Sequence, residues 1–271
     1  MSGTRRPPQA RDRMLGLHLR QHRVERGLTL EAAAEQACMS SATMSRTESG
    51  KRHVTAEDVA ALLALYRVAP ERRTQLVSAA RGGYRPIWWT ERAPGWPPDI
   101  LGVCTANAHA VTEFALNAIP HVLQTRRYGL GHLRACAAAD LDAAWAAREE
   151  LRGARELLEQ TFFLHESALQ TPYGGPGAFG EQLHHLRVAT ERGIGVRLVR
   201  AGVPLGSLNH GWAMMEYPDS PPMVYVELQE GGLFLHEPAI GGYRADLARL
   251  REVACTIQET RAHFARLAAH I

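Results

Sequence analysis

The chain has 271 residues, 45% of them hydrophobic, enough for two domains with sizeable cores. No apolar run approaches the ~20 residues of a membrane span, and the basic N-terminus lacks the apolar stretch of a signal peptide, so a cytoplasmic protein is expected. A net charge of +3 hides an asymmetry: residues 1–85 hold 15 Lys+Arg against 8 Asp+Glu, and the rest, with 16 and 20, is acidic.

Residues 1–11 read as a flexible basic arm. Arg5, Arg6, Arg11 and Arg13 precede the first predicted helix, and two readings are open: an arm along the DNA backbone or minor groove, or a solvated tail. Residues 12–82 read as a helical head of five helices, the first from about Asp12 to Arg26. Thr29 can cap a second helix carrying Ala33, Ala34 and Ala37 on one face, small residues that let another helix approach. Cys38 and Met39 fit a tight turn. Ser40 can then cap a third helix, Ser41 to Glu48, stopped by Gly50. This pattern is a helix-turn-helix, weighed against an ordinary two-helix core element. The exposed positions of the third helix are Ser41, Ala42, Thr43, Ser45 and Arg46, short polar or guanidinium groups suited to base edges and phosphates. Specificity is expected at Ser41, Ala42, Thr43 and Arg46, with Ser40, Lys51 and Arg52 on phosphates. Lys51 is the only lysine in the chain. A fourth helix starts at Thr55, with Asp58 completing a capping box, and carries Val59, Leu62, Leu63 and Tyr66 inward; a fifth follows Pro70 and fades at Gly82-Gly83.

From Leu15 to Val68 the sequence resembles the Xre (lambda-repressor-like) DNA-binding domain. The matching residues are Arg23 and Gly27, Leu28 and Thr29, Ala34, Ser40, then Ser45, Arg46, Glu48, Gly50, Lys51 and Arg52. The resemblance implies that Arg23 pairs with Glu48, and that the partner is double-stranded operator DNA bound by a homodimer.

Residues 83–102 form a Trp/Pro-rich connector with Trp88, Trp89 and Trp96, either docked on the second domain or forming an aromatic ligand wall through Trp88 and Trp89. Residues 103–271 read as an α+β regulatory domain, helices covering a small mixed sheet. Helices are expected at Ala106–Leu116, Gln124–Ala137 and Asp140–Leu158. A strand at Gln160–Leu164 and another at Ile194–Val199, joined by a helix over Phe179–Thr190, suggest a parallel pair with a crossover. Trp212–Tyr217, Met223–Leu228 and Leu233–His236 read as a meander. Tyr243–Ala269 closes the chain as one helix or two. The long amphipathic helices at Asp140–Leu158 and Tyr243–Ala269 are expected to supply the dimer contact.

This half resembles the regulatory domain of unknown chemistry that follows an Xre head in many actinobacterial regulators. Matching pieces are Glu113, Ile119-Pro-His-Val-Leu-Gln-Thr125 with Tyr128, Glu166-Ser-Ala-Leu169, Gln182-Leu183 with Leu186, and Val224-Tyr-Val-Glu227; His121 stands where the family has glycine. The resemblance implies a link to development or antibiotic production, and a small effector or a small neighbouring-gene protein as partner. The competing reading is an antitoxin-like two-gene module whose second domain only binds protein. Gln124, Thr125 and Tyr128 are the candidates for a polar pocket or partner surface, against helix capping and core packing. His165-Glu166, His184-His185, His210, Glu216, Glu227 and His236-Glu237 make no known catalytic or metal motif, and His184 and His185 diverge on their helix. No enzyme, cofactor or metal is expected. Cys38, Cys104, Cys136 and Cys255 are scattered and read as buried free thiols of a reducing cytosol.

Overall fold

The computed structural model describes residues 9–81, 87–91 and 100–270, apart from positions 137, 139, 156, 157, 205, 207, 219, 229 and 230. Five helices open the chain: α1 (Ala10–Glu25), α2 (Leu30–Gln36), α3 (Ser41–Glu48), α4 (Ala56–Leu65) and α5 (Pro70–Arg81). Three of them start where a hydroxyl can satisfy a free amide. Thr29, Ser40 and Thr55 accept from the amides of Ala32, Thr43 and Asp58, each over 3.1 Å. The box expected at Thr55 is only half formed, because the Asp58 carboxylate pairs with Arg52 instead. The first helix begins earlier than expected. Arg11 and Arg13 belong to it and are buried, at 3% and 4% exposure, so they are not part of a solvated arm. Arg5 and Arg6 lie outside the described residues.

After the head come β1 (Ile87–Glu91), α6 (Ile100–Ala106), β2 (Ala110–Ala115), α7 (Arg126–Ala135), α8 (Leu141–Ala154), β3 (Glu159–His165), α9 (Pro176–Glu191) and β4 (Gly195–Val199). The chain ends with β5 (Trp212–Tyr217), β6 (Ser220–Leu228), β7 (Gly231–Leu235), α10 (Gly241–Val253) and α11 (Ile257–Ala268). Seven strands form one mixed sheet in the order β1-β7-β6-β5-β2-β3-β4. The pairs β2–β3 and β3–β4 are parallel, the second joined through α9 as the spacing suggests, and β5, β6 and β7 form the antiparallel meander. The connector contributes β1, an antiparallel neighbour of β7.

One sequence expectation fails at the sheet's centre. Ala106–Leu116 is not a helix: α6 ends at Ala106, and β2 lies between β3 and β5. Both faces of β2 are covered, with Val111 and Phe114 buried in the two separate cores. That removes the alternation that marks a half-exposed strand, and the small Ala110 and Ala115 fit between the layers. The C-terminal segment forms two helices, broken at Ala254.

The core facing α6 to α9 is continuous with the head. It runs from Met14, Leu62 and Leu76 through Leu101 and Val111 to Phe234, while α10 closes the opposite face with Leu247 and Leu250. The amphipathic stripes expected to mediate self-association are used within the chain: Trp145 and Leu151 of α8, Leu250 of α10 and Phe264 of α11 are all buried. At the β4 edge, Leu198 accepts the Cys255 amide over 2.8 Å and donates to Thr260 Oγ1 over 3.0 Å, which closes that edge to further pairing. Among the described residues no helix is long and apolar enough to cross a membrane.

Candidate nucleic-acid interface

The turn between α2 and α3 is tight because Cys38 adopts a left-handed conformation, φ 53°, and the Met39 amide returns to the Ala34 carbonyl over 2.8 Å. Helix α3 then presents two chemically different faces. Met44, Thr47 and Glu48 are buried, whereas Ser41, Ala42, Ser45 and Arg46 are exposed and Thr43 is half-buried. This is the 3.6-residue alternation that a helix lying in a groove requires, one side on its own core and the other free. Helix α1 approaches closely from behind: a Cβ at Gly16 would lie 2.4 Å from the Thr47 carbonyl oxygen. Only glycine allows that crossing.

Three contacts fix the base of α3. Arg23 donates from Nε and Nη2 to the two carboxylate oxygens of Glu48, over 2.7 and 2.9 Å, and from Nη1 to the Leu28 carbonyl over 2.6 Å. The end of α1, the start of α2 and the end of α3 are thereby tied through one planar group. The hydrogen bond to Glu48 raises the Arg23 pKa above its ordinary value, and burial, reinforced by Glu48, pushes the Tyr66 phenol up to about 12. The residues expected to pair from the family resemblance do so in the structure.

The outward residues differ in how free they are. Ser40 is exposed; its Oγ accepts the Thr43 amide and donates to Thr43 Oγ1 over 2.9 Å, so the two hydroxyls form one unit. Arg46 is exposed and its guanidinium has no hydrogen-bond or ion-pair partner among the described residues. Lys51 is also exposed. Arg52 is different: it is half-buried and ion-paired with Asp58, so its charge is neutralised within the chain. With Arg23 held by Glu48 and Arg11 and Arg13 buried, the net charge of the head overstates what its surface offers to phosphate.

The candidates in the second domain do not assemble into an open site. Gln124 is buried, donates to the Ile119 carbonyl and accepts from Arg148, both over 2.7 Å. Thr125 caps α7, and its amide donates to Gln182 Oε1 over 2.7 Å. Tyr128 is fully buried between Tyr173 and Phe179. Gln124 is satisfied by Ile119 and Arg148, and Thr125 and Tyr128 are met by groups more than forty residues downstream, so all three make capping or core contacts. The side chains of Trp88 and Trp89 lie outside the described residues, as does Trp96.

Several polar candidates for chemistry have structural partners too. His165 caps the short turn that follows β3, and Glu166 accepts the Ala201 amide over 2.8 Å beside Arg200 and His263. Glu237 pairs with Arg244, and His210 meets the Tyr243 hydroxyl at 3.1 Å. Glu113 pairs with the buried Arg155 over 2.7 Å. Among the described residues no three His, Cys, Asp or Glu groups are placed to hold a metal. The four cysteines are free thiols, but only Cys104 is buried; Cys38, in the turn before α3, and Cys136, at the end of α7, are exposed. Sequence reasoning missed the contacts of Arg13 and His236 with the opposite half of the chain, since no local pattern signals a surface some two hundred residues away.

Comparison with known families gives two matches. Residues 14–76 match a helix-turn-helix domain, and residues 101–266, more than half of the chain, match the domain of unknown function DUF5753. No curated protein and no solved structure matches the chain. The chain belongs to the DUF5753 family, with a helix-turn-helix domain in front of the family domain.

Proposed function

We propose that the chain is a sequence-specific DNA-binding transcriptional regulator of the Xre type, reading operator DNA through α3. The observation that carries this reading is the two-faced α3 within a matched helix-turn-helix domain, with Ser41, Ala42, Ser45 and Arg46 outward and Met44, Thr47 and Glu48 inward. Arg46 is assigned to a base edge and Lys51 to phosphate. One recognition helix reads only a few base pairs, so the proposal includes two chains on a two-fold site. Gln124, Thr125, Tyr128 and Glu166 of the second domain are held by internal contacts, and the domain is assigned a regulatory role. Its effector, a small molecule or a partner protein, acts on the docked arrangement of the two halves.

Arg46→Ala should cost about 1–3 kcal/mol on the preferred duplex and relax selection at one position, as loss of a bidentate guanine contact does. Lys51→Ala should weaken all duplexes alike and flatten the salt dependence by about one unit. The measurement is fluorescence anisotropy with the full chain on a selected duplex and on random duplexes at several salt concentrations. Equal losses for Arg46→Ala on both kinds of duplex would make it a phosphate contact.

A further inference from the structure

The first turn of α1 lies between the two halves of the chain. On one side it faces the sheet. The Arg13 guanidinium sits 3.9 Å from the centroid of the Tyr217 ring, at the end of β5, and its Nη2 donates to Ser220 Oγ, at the start of β6, over 3.2 Å. The Ala10 amide donates to His236 Nε2, just past β7, over 3.4 Å. Arg13 is 4% exposed and has no carboxylate partner among the described residues, so a ring and a hydroxyl of the second domain hold this desolvated cation.

The other side of the same turn touches the end of α3. Gly50 closes that helix with φ 64°, and a Cβ there would lie 2.4 Å from Arg13 Cα and 2.8 Å from its Cγ. The loop beyond is tied down by the preceding residue: Asp12 Oδ1 accepts the Val54 amide over 3.3 Å and lies 3.1 Å from His53 Nδ1. Asp12 is fully buried. In a close-packed interior a displacement on one face of this turn must be taken up on the other. The β5–β6 turn, Arg13 and the end of α3 are therefore consecutive members of one contact chain.

We propose that Arg13 is the positioning residue through which the β5–β6 turn of the second domain sets the placement of α3 on DNA. Any ligand or partner that moves that turn then changes operator affinity without touching the DNA-facing surface. The inference rests on the DNA-binding reading above and adds the route by which binding is regulated. Coupling of this kind is reciprocal, so DNA seated on α3 must also alter the β5–β6 turn.

Hydrogen exchange on the full chain, with and without a saturating selected duplex, tests this directly. The expected result is slower exchange in peptides covering residues 41–51 and a second change in peptides covering residues 212–223. Protection of α3 with no change at 212–223 would overturn the inference and leave the DNA reading standing. No change at α3 would overturn the DNA reading itself. A pair of variants supplies the converse. Tyr217→Leu removes the ring that Arg13 stacks on, whereas Tyr217→Phe keeps it and loses only a buried hydroxyl that has no hydrogen-bond partner among the described residues. Tyr217→Leu should weaken the selected duplex about tenfold, with Tyr217→Phe within about twofold and random duplexes unaffected. Equal behaviour of the two variants would contradict the assignment. Should Tyr217→Leu fail to fold, Ser220→Ala, which removes only the hydrogen bond, must still weaken specific binding, and its failure to do so overturns the proposal.

Discussion

Replacing Arg23 or Glu48 alone by alanine will destabilise the folded chain by about 3–5 kcal/mol. The two side chains are 10% and 4% exposed, and each satisfies the other through two bonds. Glu48→Ala leaves a desolvated guanidinium with only the Leu28 carbonyl as a partner among the described residues. Arg23→Ala leaves a desolvated carboxylate, and it also frees that carbonyl just before the cap of α2. Joint replacement by Met and Leu fills the same volume without stranded charge, so it should cost less than either single change. Urea unfolding of the unmodified chain, the two alanine variants and the double alanine variant, followed by circular dichroism, gives the coupling energy. A coupling below about 0.5 kcal/mol would mean that the pair acts as two independent surface charges.

Stability will fall steeply between pH 6.5 and pH 4. Burial, with Arg72 and His22 adding, lowers the His18 pKa to about 4, and burial, with Arg13 and Arg11 adding, does the same for His236. Both histidines are neutral in the folded chain, and His236 must be, because its Nε2 accepts the Ala10 amide. Above pH 6.5 neither state binds the protons and the full stability is present. Below it the unfolded chain takes up protons that the folded chain refuses, until the folded pKa is reached near 4. Each site should lose about 2–4 kcal/mol across that window. His132, His165, His185 and His263 are lowered chiefly by burial and act in the same direction. Urea midpoints from pH 7.5 to pH 4.5 measure the effect. A His18→Gln, His236→Gln double variant should flatten the profile, and an unchanged slope would show that these two histidines do not carry it.

The head is legible in the sequence because its signals are local. Thr29, Ser40 and Thr55 each stand where a hydroxyl reaches an amide three residues on, and the 3.6-residue period sorts α3 into its two faces. Even Cys38 sits at the turn where the sequence placed it, although no residue pattern announces its positive φ. The second domain is less legible where tertiary cover removes the period. Strand β2 is buried on both faces, and its alanines favour the helical reading until β3 and β5 are seen on either side. Polar residues mislead for a related reason. Gln124 and Tyr128 suggest a pocket by type, yet Arg148 and Phe179 already occupy their surfaces. Arg11 and Arg13 count as free charge in any sum over residues 1–85, but Tyr217, Ser220 and His236 convert that end of α1 into an internal contact.

Because Lys51 is the only lysine in the chain, it offers a single-site probe of the claim that the α3 surface contacts DNA. The full-length protein is treated with an amine-acylating reagent, alone and with a duplex selected from a random pool, and the extent of Lys51 modification is read by mass spectrometry. Acylation of Lys51 should slow in proportion to occupancy of the selected duplex, since the exposed ammonium becomes buried against a phosphate. Unchanged acylation of Lys51 when the protein is fully bound would place the DNA on another surface and contradict the account.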